Sequence, residues 1–468
     1  MVCVPPRPPH CSTTQARPRL YWYPAPLPPW KNESNWRWHS LRRRIELSPH
    51  HEPDGACADF YIISNHLDYD AGYKFGAHSQ NSTKLVQMFQ HLASTWPWWN
   101  RTTGDGQRRH LLLTPCDHGP GDCMYTSWFL RKRTSLPPAI APQNPQRMLG
   151  YITPSGATGP TAWFRPGVDV RLPQEEGDPC SVFCGVPLAM RSTLGVGIVR
   201  QLSPWAARDK RRERLLTRRR RIQFFWSGWS SGSKGFRGSI FRHHLNRSRW
   251  LLRDTSPEGQ SSGRASAVDL ASDALTDTRS PSWVARAMSN ADFCYSPLGQ
   301  HHGDSDRYLP AVLYGCVPVF IKNNEAGPFR EVIPWERISL QLTPADIPIL
   351  HLVLNNISHE EIVRKRRAMQ DHWSRMLWPS VNGTSRRRLP KNGLGSGMAP
   401  FSSHSTTAER NAFTTFVEVL RQRLDQDQRQ SNCSGSADPQ AARPVGVTHA
   451  VEAEDAWQWT ALRNAIVV

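Results

Sequence analysis

Asp292–Glu331 reads DFCYSPLGQHHGDSDRYLPAVLYGCVPVFIKNNEAGPFRE, and its punctuation is that of a strand, a loop, a helix and a second strand. The apolar run Phe293, Cys294, Tyr295 meets a Pro-Leu-Gly turn. A small polar loop, a helix-length segment, a Gly-Cys break and the β-type run Val317–Ile321 follow. In such a βαβ unit the loop after the first strand lies at the carboxyl edge of a parallel sheet. The next helix points its amide-rich, partly positive end there, which favours anions. Ser305 is placed to cap that helix or donate to a phosphate oxygen, and Arg307 offers a planar fork of donors suited to a diphosphate. Gly299 and Gly303 let backbone approach a ligand closely, and His301 lies in the same loop.

Outward from this unit the chain keeps alternating. Asp59–Ile63 and His110–Thr114 read as buried strands, and Thr83–Ala93 carries Leu85, Met88 and Leu92 at helical spacing. A second alternation starts at Ile222, with Ile240–Leu252 as helix and Phe293–Tyr295 and Val317–Ile321 as strands. Ser358–Trp378 reads as a helix opened by a Ser358/Glu361 capping box, with Ile362, Met369, Trp373, Met376 and Leu377 as a core stripe. Strands alternating with helices predict two α/β halves with a cleft between them. Residues 1–56 are Pro/Arg-rich and are expected to lack a fixed fold. The organisation read is 57–205 as the first domain, 206–380 as the second, and 381–468 as loop, an amphipathic helix at about 408–428, and a disordered tail.

These residues resemble the exostosin family of glycosyltransferases. The family pattern runs approximately S-x-F-C-L-x-P-x-G, S-x-R-x-x-(D/E)-A, G-C-x-P-V and P-F-x-x-x-(I/L)-x-W. Here the blocks fall at Asn290–Gly299, at Ser305, Arg307 and Ala311, at Gly315–Val319, and at Pro328, Phe329, Ile333 and Trp335. Upstream, Trp98-Trp99-Asn100-Arg101 with Arg109-His110 and Asp117-His118-Gly119, the run Phe164–Pro173, and Arg221–Arg237 are similar to further blocks. The resemblance implies a GT-B arrangement: two Rossmann-like domains facing a cleft, nucleotide sugar on the C-terminal side and acceptor on the N-terminal side. The implied reaction is inverting transfer from a nucleoside diphosphate sugar, usually a UDP-sugar, to a hydroxyl of a polysaccharide or glycoprotein glycan. A nucleotide sugar, a glycan acceptor and other glycosyltransferases are the implied partners. No cofactor is required, and a divalent metal is optional.

Such chemistry needs a base for the acceptor hydroxyl and positive groups for the departing diphosphate. Arg307 with Ser305, and then Arg237 after the glycine-bearing loop 228–235, are the diphosphate candidates. Asp117 and His118, directly after the strand His110–Thr114, are the candidate bases. One position departs from the pattern. Where the family has an acid just before the alanine of its second block, this chain has Pro310, so a ribose contact is missing unless Asp304, Asp306 or Glu331 replaces it. The alternative reading is therefore a catalytically impaired glycan-binding or complex-stabilising subunit.

A net charge of +19 and the run Arg208–Arg221 invite a nucleic-acid reading. That reading is set aside because no zinc-finger, RNP or helix-turn-helix pattern accompanies the run, which reads instead as a solvated helix or linker. Cys294 and Cys316 sit in apolar segments and read as buried thiols. Cys116 with Cys123, and Cys180 with Cys184, suit disulfides in an oxidising compartment, and their spacing does not match the usual zinc-ligand pairs. Glycosylation sequons begin at Asn32, Asn81, Asn100, Asn246, Asn356, Asn382 and Asn432, which favours a secretory lumen. No signal peptide and no membrane-spanning apolar run is read from the chain, although family members are typically Golgi membrane proteins.

Overall fold

The structure, a computed structural model, describes residues 9–11, 14–24, 36–63, 91–92, 94–98, 109–113, 149–153, 169–173, 201–228, 230, 236–256, 281–297, 307–321, 327–378 and 410–433. One compact unit covers Met1–Leu424. A second, Asp425–Val468, is described over 425–433, as helix. The first unit is α/β, as the alternation predicts, with two five-stranded sheets whose strand pairs all run parallel.

Leu20–Trp22 (β1), Phe60–Ile63 (β2), His110–Leu113 (β3), Leu149–Thr153 (β4) and Val170–Arg171 (β5) lie side by side in chain order. Their near-continuous apolar sequence suits strands covered on both faces. Leu20, Trp22, Phe60, Ile62, Leu111 and Leu113 join a core cluster shared with the second sheet. The alternate residues Tyr21, Tyr61 and His110 are in register across the other face. The His110 ring stacks 4.5 Å from Tyr61, Trp98 packs edge-on to Tyr21 at 5.5 Å, and His110 Nε2 is hydrogen-bonded to the Tyr23 hydroxyl at 2.8 Å.

β1 corrects the expectation that residues 1–56 lack a fixed fold, as does the helix Trp36–Glu46 (α1). Proline and arginine content conceals three anchors. Leu20-Tyr21-Trp22-Tyr23 alternates between two buried faces. Wholly buried Asp59 accepts two bonds from the Arg17 guanidinium, at 2.8 and 3.2 Å, and one from the Arg19 amide at 2.8 Å. A Cys11–Cys57 disulfide ties the segment to the start of β2.

Burial pushes the His110 imidazole down from 6.5 to about 3, so it stays neutral in the folded chain. Between those values the unfolded chain binds the extra proton, so stability is full above about pH 6.5 and falls as pH drops towards 3. Moving from pH 7 to pH 5 is expected to cost about 2 kcal/mol from this residue. Urea midpoints at the two pH values measure it. The same pH dependence in a His110→Gln variant would rule this residue out as the cause.

Ile222–Gly228 (β6), Trp250–Asp254 (β7), Ala291–Tyr295 (β8), Val317–Ile321 (β9) and Leu340–Leu342 (β10) form the second sheet in the spatial order β10-β9-β8-β6-β7. Asp209–Thr217 (α2) leads into it. Arg237–His244 (α3) joins β6 to β7, Pro281–Ser289 (α4) precedes β8, and Tyr308–Leu313 (α5) joins β8 to β9. Trp335–Ile338 (α6), Leu350–Asn355 (α7), His359–Gln370 (α8) and Ala412–Cys433 (α9) follow. The helix expected over Ile240–Leu252 ends at His244. Trp250, Leu251 and Leu252 instead pair with Phe224, Phe225 and Trp226, after a turn in which Arg249 takes φ 62°. α8 begins at the expected cap, with the Glu361 amide donating to the Ser358 hydroxyl at 3.1 Å. It stops at Gln370, and Trp373–Met376 is a separate 3-10 turn whose Trp373 and Met376 are core, as read.

α5 tolerates Pro310 because the residue stands in the first helical turn, where its missing amide proton has no intrahelical acceptor; the first i to i−4 bond is Ala311 to Arg307 at 3.2 Å. Gly315 closes the helix at φ +64°, and a Cβ there would lie 3.0 Å from Pro204 and 3.1 Å from the Arg220 guanidinium. Cys294 and Cys316, read as thiols, are joined in a disulfide. Pairing of Cys294 with Pro318 across β8 and β9 brings the two sulfurs together. Cys116, Cys123, Cys180 and Cys184 lie outside the described residues.

The basic run is solvated along α2 but not at its end. Arg220 is buried and donates to the carbonyls of Met288 (3.1 Å), Ala291 (2.8 Å) and Tyr314 (3.3 Å). Wholly buried Arg366 of α8 pairs with Asp292 at 2.6 Å and donates to the carbonyls of Gly315, Leu216 and Arg218. These arginines satisfy carbonyls around the amino ends of β6 and β8. The end of β5 is bonded to the second sheet's surroundings. Arg171 carbonyl accepts from the Phe329 amide at 3.0 Å, its guanidinium lies 5.7 Å from the Tyr308 ring centroid, and Pro173 carbonyl accepts from the Trp378 indole at 2.9 Å.

Candidate functional site

From β6 the chain passes through α3 to β7 on one side, and from neighbouring β8 through α5 to β9 on the other. That reversal is a topological switch point, and ligands of open α/β sheets bind in the crevice outside the carboxyl ends of the two strands that flank it. Among the described strands of the first sheet the order never reverses. The crevice of interest is thus at the ends of Gly228 and Tyr295.

Arg237 opens α3 and Arg307 immediately precedes α5, so each stands on one of the two turns that flank the switch point. Burial pushes the Arg237 guanidinium down, the neighbouring Tyr295 phenol offsets this in part, and Arg307 depresses it further. The Tyr295 phenol is in turn raised by burial and drawn back by Arg237. Two arginines distant in sequence therefore stand within electrostatic reach of each other at the strand ends, where like charges repel and a bound anion would relieve the repulsion.

Asp254, at the carboxyl end of β7 and in register with Gly228, completes the arrangement. Its carboxylate accepts from the Ser230 amide (3.1 Å), the Ser230 hydroxyl and the Ser256 amide (2.9 Å). Burial pushes this carboxyl up, but the bonds from Ser230 and Ser256 outweigh it and hold it below the ordinary value. It fixes the first residues of the turn that delivers Arg237. Sequence reasoning missed Asp254 because the run before it was read as helix; an acid closing a buried apolar triplet was the available signal.

Of the residues singled out from sequence, Arg237 and Arg307 are described, each on a turn flanking the switch point and within electrostatic reach of the other. Ser305, Gly299, Gly303, His301, Asp117 and His118 lie outside the described residues, as do Asp304 and Asp306; β3, the strand that leads to Asp117, is formed. Glu331 is engaged by another side chain. It accepts from the Arg423 guanidinium at 2.6 Å and fastens α9, and the same guanidinium donates to Asp169 carbonyl at 3.0 Å. Among the described residues, His10, Cys11 and Cys57 cluster closely enough to hold a metal ion, but the two sulfurs are bonded to each other.

Comparison with known proteins places this crevice within a recognised domain. Residues 190–357 match the Exostosin GT47 domain. The chain is 38% identical over 92 residues to the probable glucuronosyltransferase 47 A of Physcomitrium patens, covering 20% of each chain. It is equally similar, 38% over 92 residues, to the probable beta-1,4-xylosyltransferase IRX10L of Arabidopsis thaliana, covering 20% of this chain and 22% of that one. With the probable glucuronosyltransferase GUT1 of Oryza sativa subsp. japonica it shares 36% identity over 94 residues, again 20% and 22%. The match thus spans about a fifth of these relatives' length.

Proposed function

We propose, from the match of residues 190–357 to the Exostosin GT47 domain and the similarity to plant glycosyltransferases, that the chain is an exostosin-family glycosyltransferase that transfers a sugar, with inversion, from a UDP-sugar to a hydroxyl of a polysaccharide or glycoprotein glycan. The observation that supports the reading is the placement of Arg237 and Arg307, within electrostatic reach of each other, on the two turns that flank the switch point of the second sheet. In this mechanism the two guanidinium groups clamp the diphosphate and take up charge as its bond to the anomeric carbon breaks. The acceptor hydroxyl attacks from the opposite face, and Asp117 or His118, beyond the end of β3, accepts its proton. Asp254 orders the turn carrying Arg237. The first sheet supplies the acceptor side of a GT-B cleft, and Ser305, Gly299, Gly303 and His301 form the donor loop.

Disulfides at Cys11–Cys57 and Cys294–Cys316, together with the sequons, support an oxidising secretory compartment, the Golgi lumen in this reading. No described helix is long and apolar enough to cross a membrane. Other glycosyltransferases are the proposed protein partners.

A second reading, a subunit without catalysis, is favoured by one observation. Pro310 replaces the acid expected to hold the ribose, and Glu331 is committed to Arg423. UDP separates the two. At about a hundred times its Kd, UDP should raise stability by about 2.7 kcal/mol, read as a higher melting temperature, and a nucleotide-sugar panel headed by UDP-glucuronate and UDP-xylose should show donor hydrolysis. No thermal shift at millimolar UDP would overturn the transferase reading.

A further inference from the structure

We infer that Asn246 and Asn356 carry N-linked oligosaccharides, and that these roof an exposed apolar patch at the amino edge of the second sheet. The inference rests on the lumenal compartment proposed above and is independent of the donor site.

In the sequon Asn246-Arg247-Ser248 all three residues are exposed, on the turn after α3; in Asn356-Ile357-Ser358 the asparagine and serine are exposed, on the turn between α7 and α8. The two turns are neighbours. Two residues before Asn246, the His244 ring nitrogen Nε2 lies 2.6 Å from Ile347 carbonyl, and the ring is 5.5 Å from that of His351 in α7. Next to Asn356, the Asn355 side chain accepts from Gln223, the second residue of β6, at 2.8 Å; Gln223 in turn accepts from the indole of Trp250, the first residue of β7, at 2.9 Å. Both sequons therefore stand by the amino ends of β6 and β7. Arg237 and Arg307 are at the other end of the sheet.

What lies between the sequons is unusual for this surface. Among the described residues three large apolar side chains are exposed, and two of them are Ile349 (48%), the residue just before α7, and Leu352 (51%) within it. Asn356 follows Leu352 by one helical turn and donates its amide to the Leu352 carbonyl at 3.1 Å, so the two share a face. A glycan on Asn356 extends over Leu352, and one on Asn246 approaches from the α3 side. Oligosaccharide is a fitting cover for exposed apolar surface that would otherwise promote self-association.

Attachment is a displacement. The asparagine amide nitrogen bonds to the anomeric carbon of an oligosaccharide carried on a polyprenyl diphosphate. The bond from that carbon to the diphosphate oxygen breaks, the lipid diphosphate leaves with the electron pair, and the amide gives up one proton. It occurs on the extended chain, before the Ser358 hydroxyl is engaged as the α8 cap, and the fold then needs to leave both asparagines facing outward.

The test is secretion of the full chain from eukaryotic cells behind a cleavable leader, followed by peptide mass spectrometry after enzymatic release of N-glycans. Conversion of Asn246 and Asn356 to aspartate is the expected result. Bare asparagine at both positions in secreted, disulfide-bonded protein would overturn the inference. The pair Asn246→Gln and Asn356→Gln should increase self-association in sizing experiments, and Ile349→Ser with Leu352→Ser in that background should reverse it; unchanged association would refute the roofing. Occupied sites in a protein that does not bind UDP support this inference while overturning the donor reading, and UDP binding with both asparagines bare does the opposite.

Discussion

Arg307→Ala is expected to weaken donor binding by roughly thirtyfold to 150-fold, the worth of about 2 to 3 kcal/mol of charge-assisted hydrogen bonding to a diphosphate. Arg237→Ala should act similarly, and the double variant should lose less than the product of the two, because Arg307 depresses Arg237 and removing one relieves the other. Arg307→Lys keeps a charge but not the planar fork and should fall between wild type and alanine. Titration calorimetry with UDP, alongside kcat/KM for donor hydrolysis, measures all four. Unliganded stability should move by less than about 1 kcal/mol in each single variant, which separates lost binding from lost fold. Two alanine variants within a factor of two of wild type would remove these arginines from the donor site.

Arg366→Met should have the largest effect on stability, a loss of about 3 kcal/mol, because it removes the closer and wholly buried of the two arginines paired with the buried Asp292 carboxylate, the half-exposed Arg249 remaining at 3.6 Å. The carbonyls of Gly315, Leu216 and Arg218 lose a donor at the same time. Urea unfolding should show a lower midpoint with unchanged slope. Adding Asp292→Asn should recover part of the loss by removing the carboxylate charge while the carbonyls stay unpaired. A loss below about 1 kcal/mol would mean that solvent reaches this pair.

Local pattern made the β8, α5, β9 unit and the capped start of α8 readable, because each depends on neighbours within a few residues. The switch point was not readable, for a specific reason. Its strand order requires β7, and Trp250–Leu252 is an apolar triplet whose extended state is decided by pairing with Phe224–Trp226 rather than by its own periodicity. With β7 missing, Asp254 had no strand end to occupy. β1 was obscured differently: averaged composition over 1–56 hid Cys11, Arg17 and Arg19, whose partners Cys57 and Asp59 stand beyond the segment. The sequence placed Arg307 and Arg237 in the right kind of turn, and what it did not convey was that the two turns adjoin. Burial of Arg220 and Arg366 was equally opaque, since a guanidinium among carbonyls looks like any other arginine in a basic run.

The bond from the Phe329 amide to Arg171 carbonyl, with Arg366 keyed to Asp292 from beyond the matched stretch, bears on how this molecule can be cut. A recombinant piece trimmed to residues 190–357 would retain all five strands of the second sheet yet deprive Asp292 of the closer of its two arginine partners, uncover the apolar face built with Leu111 and Ile152, and lose the backbone acceptor for Phe329. The limits of recognisable homology are therefore not the limits of an autonomous folding unit, and a fragment that keeps these contacts must begin upstream of β1 and run through α9.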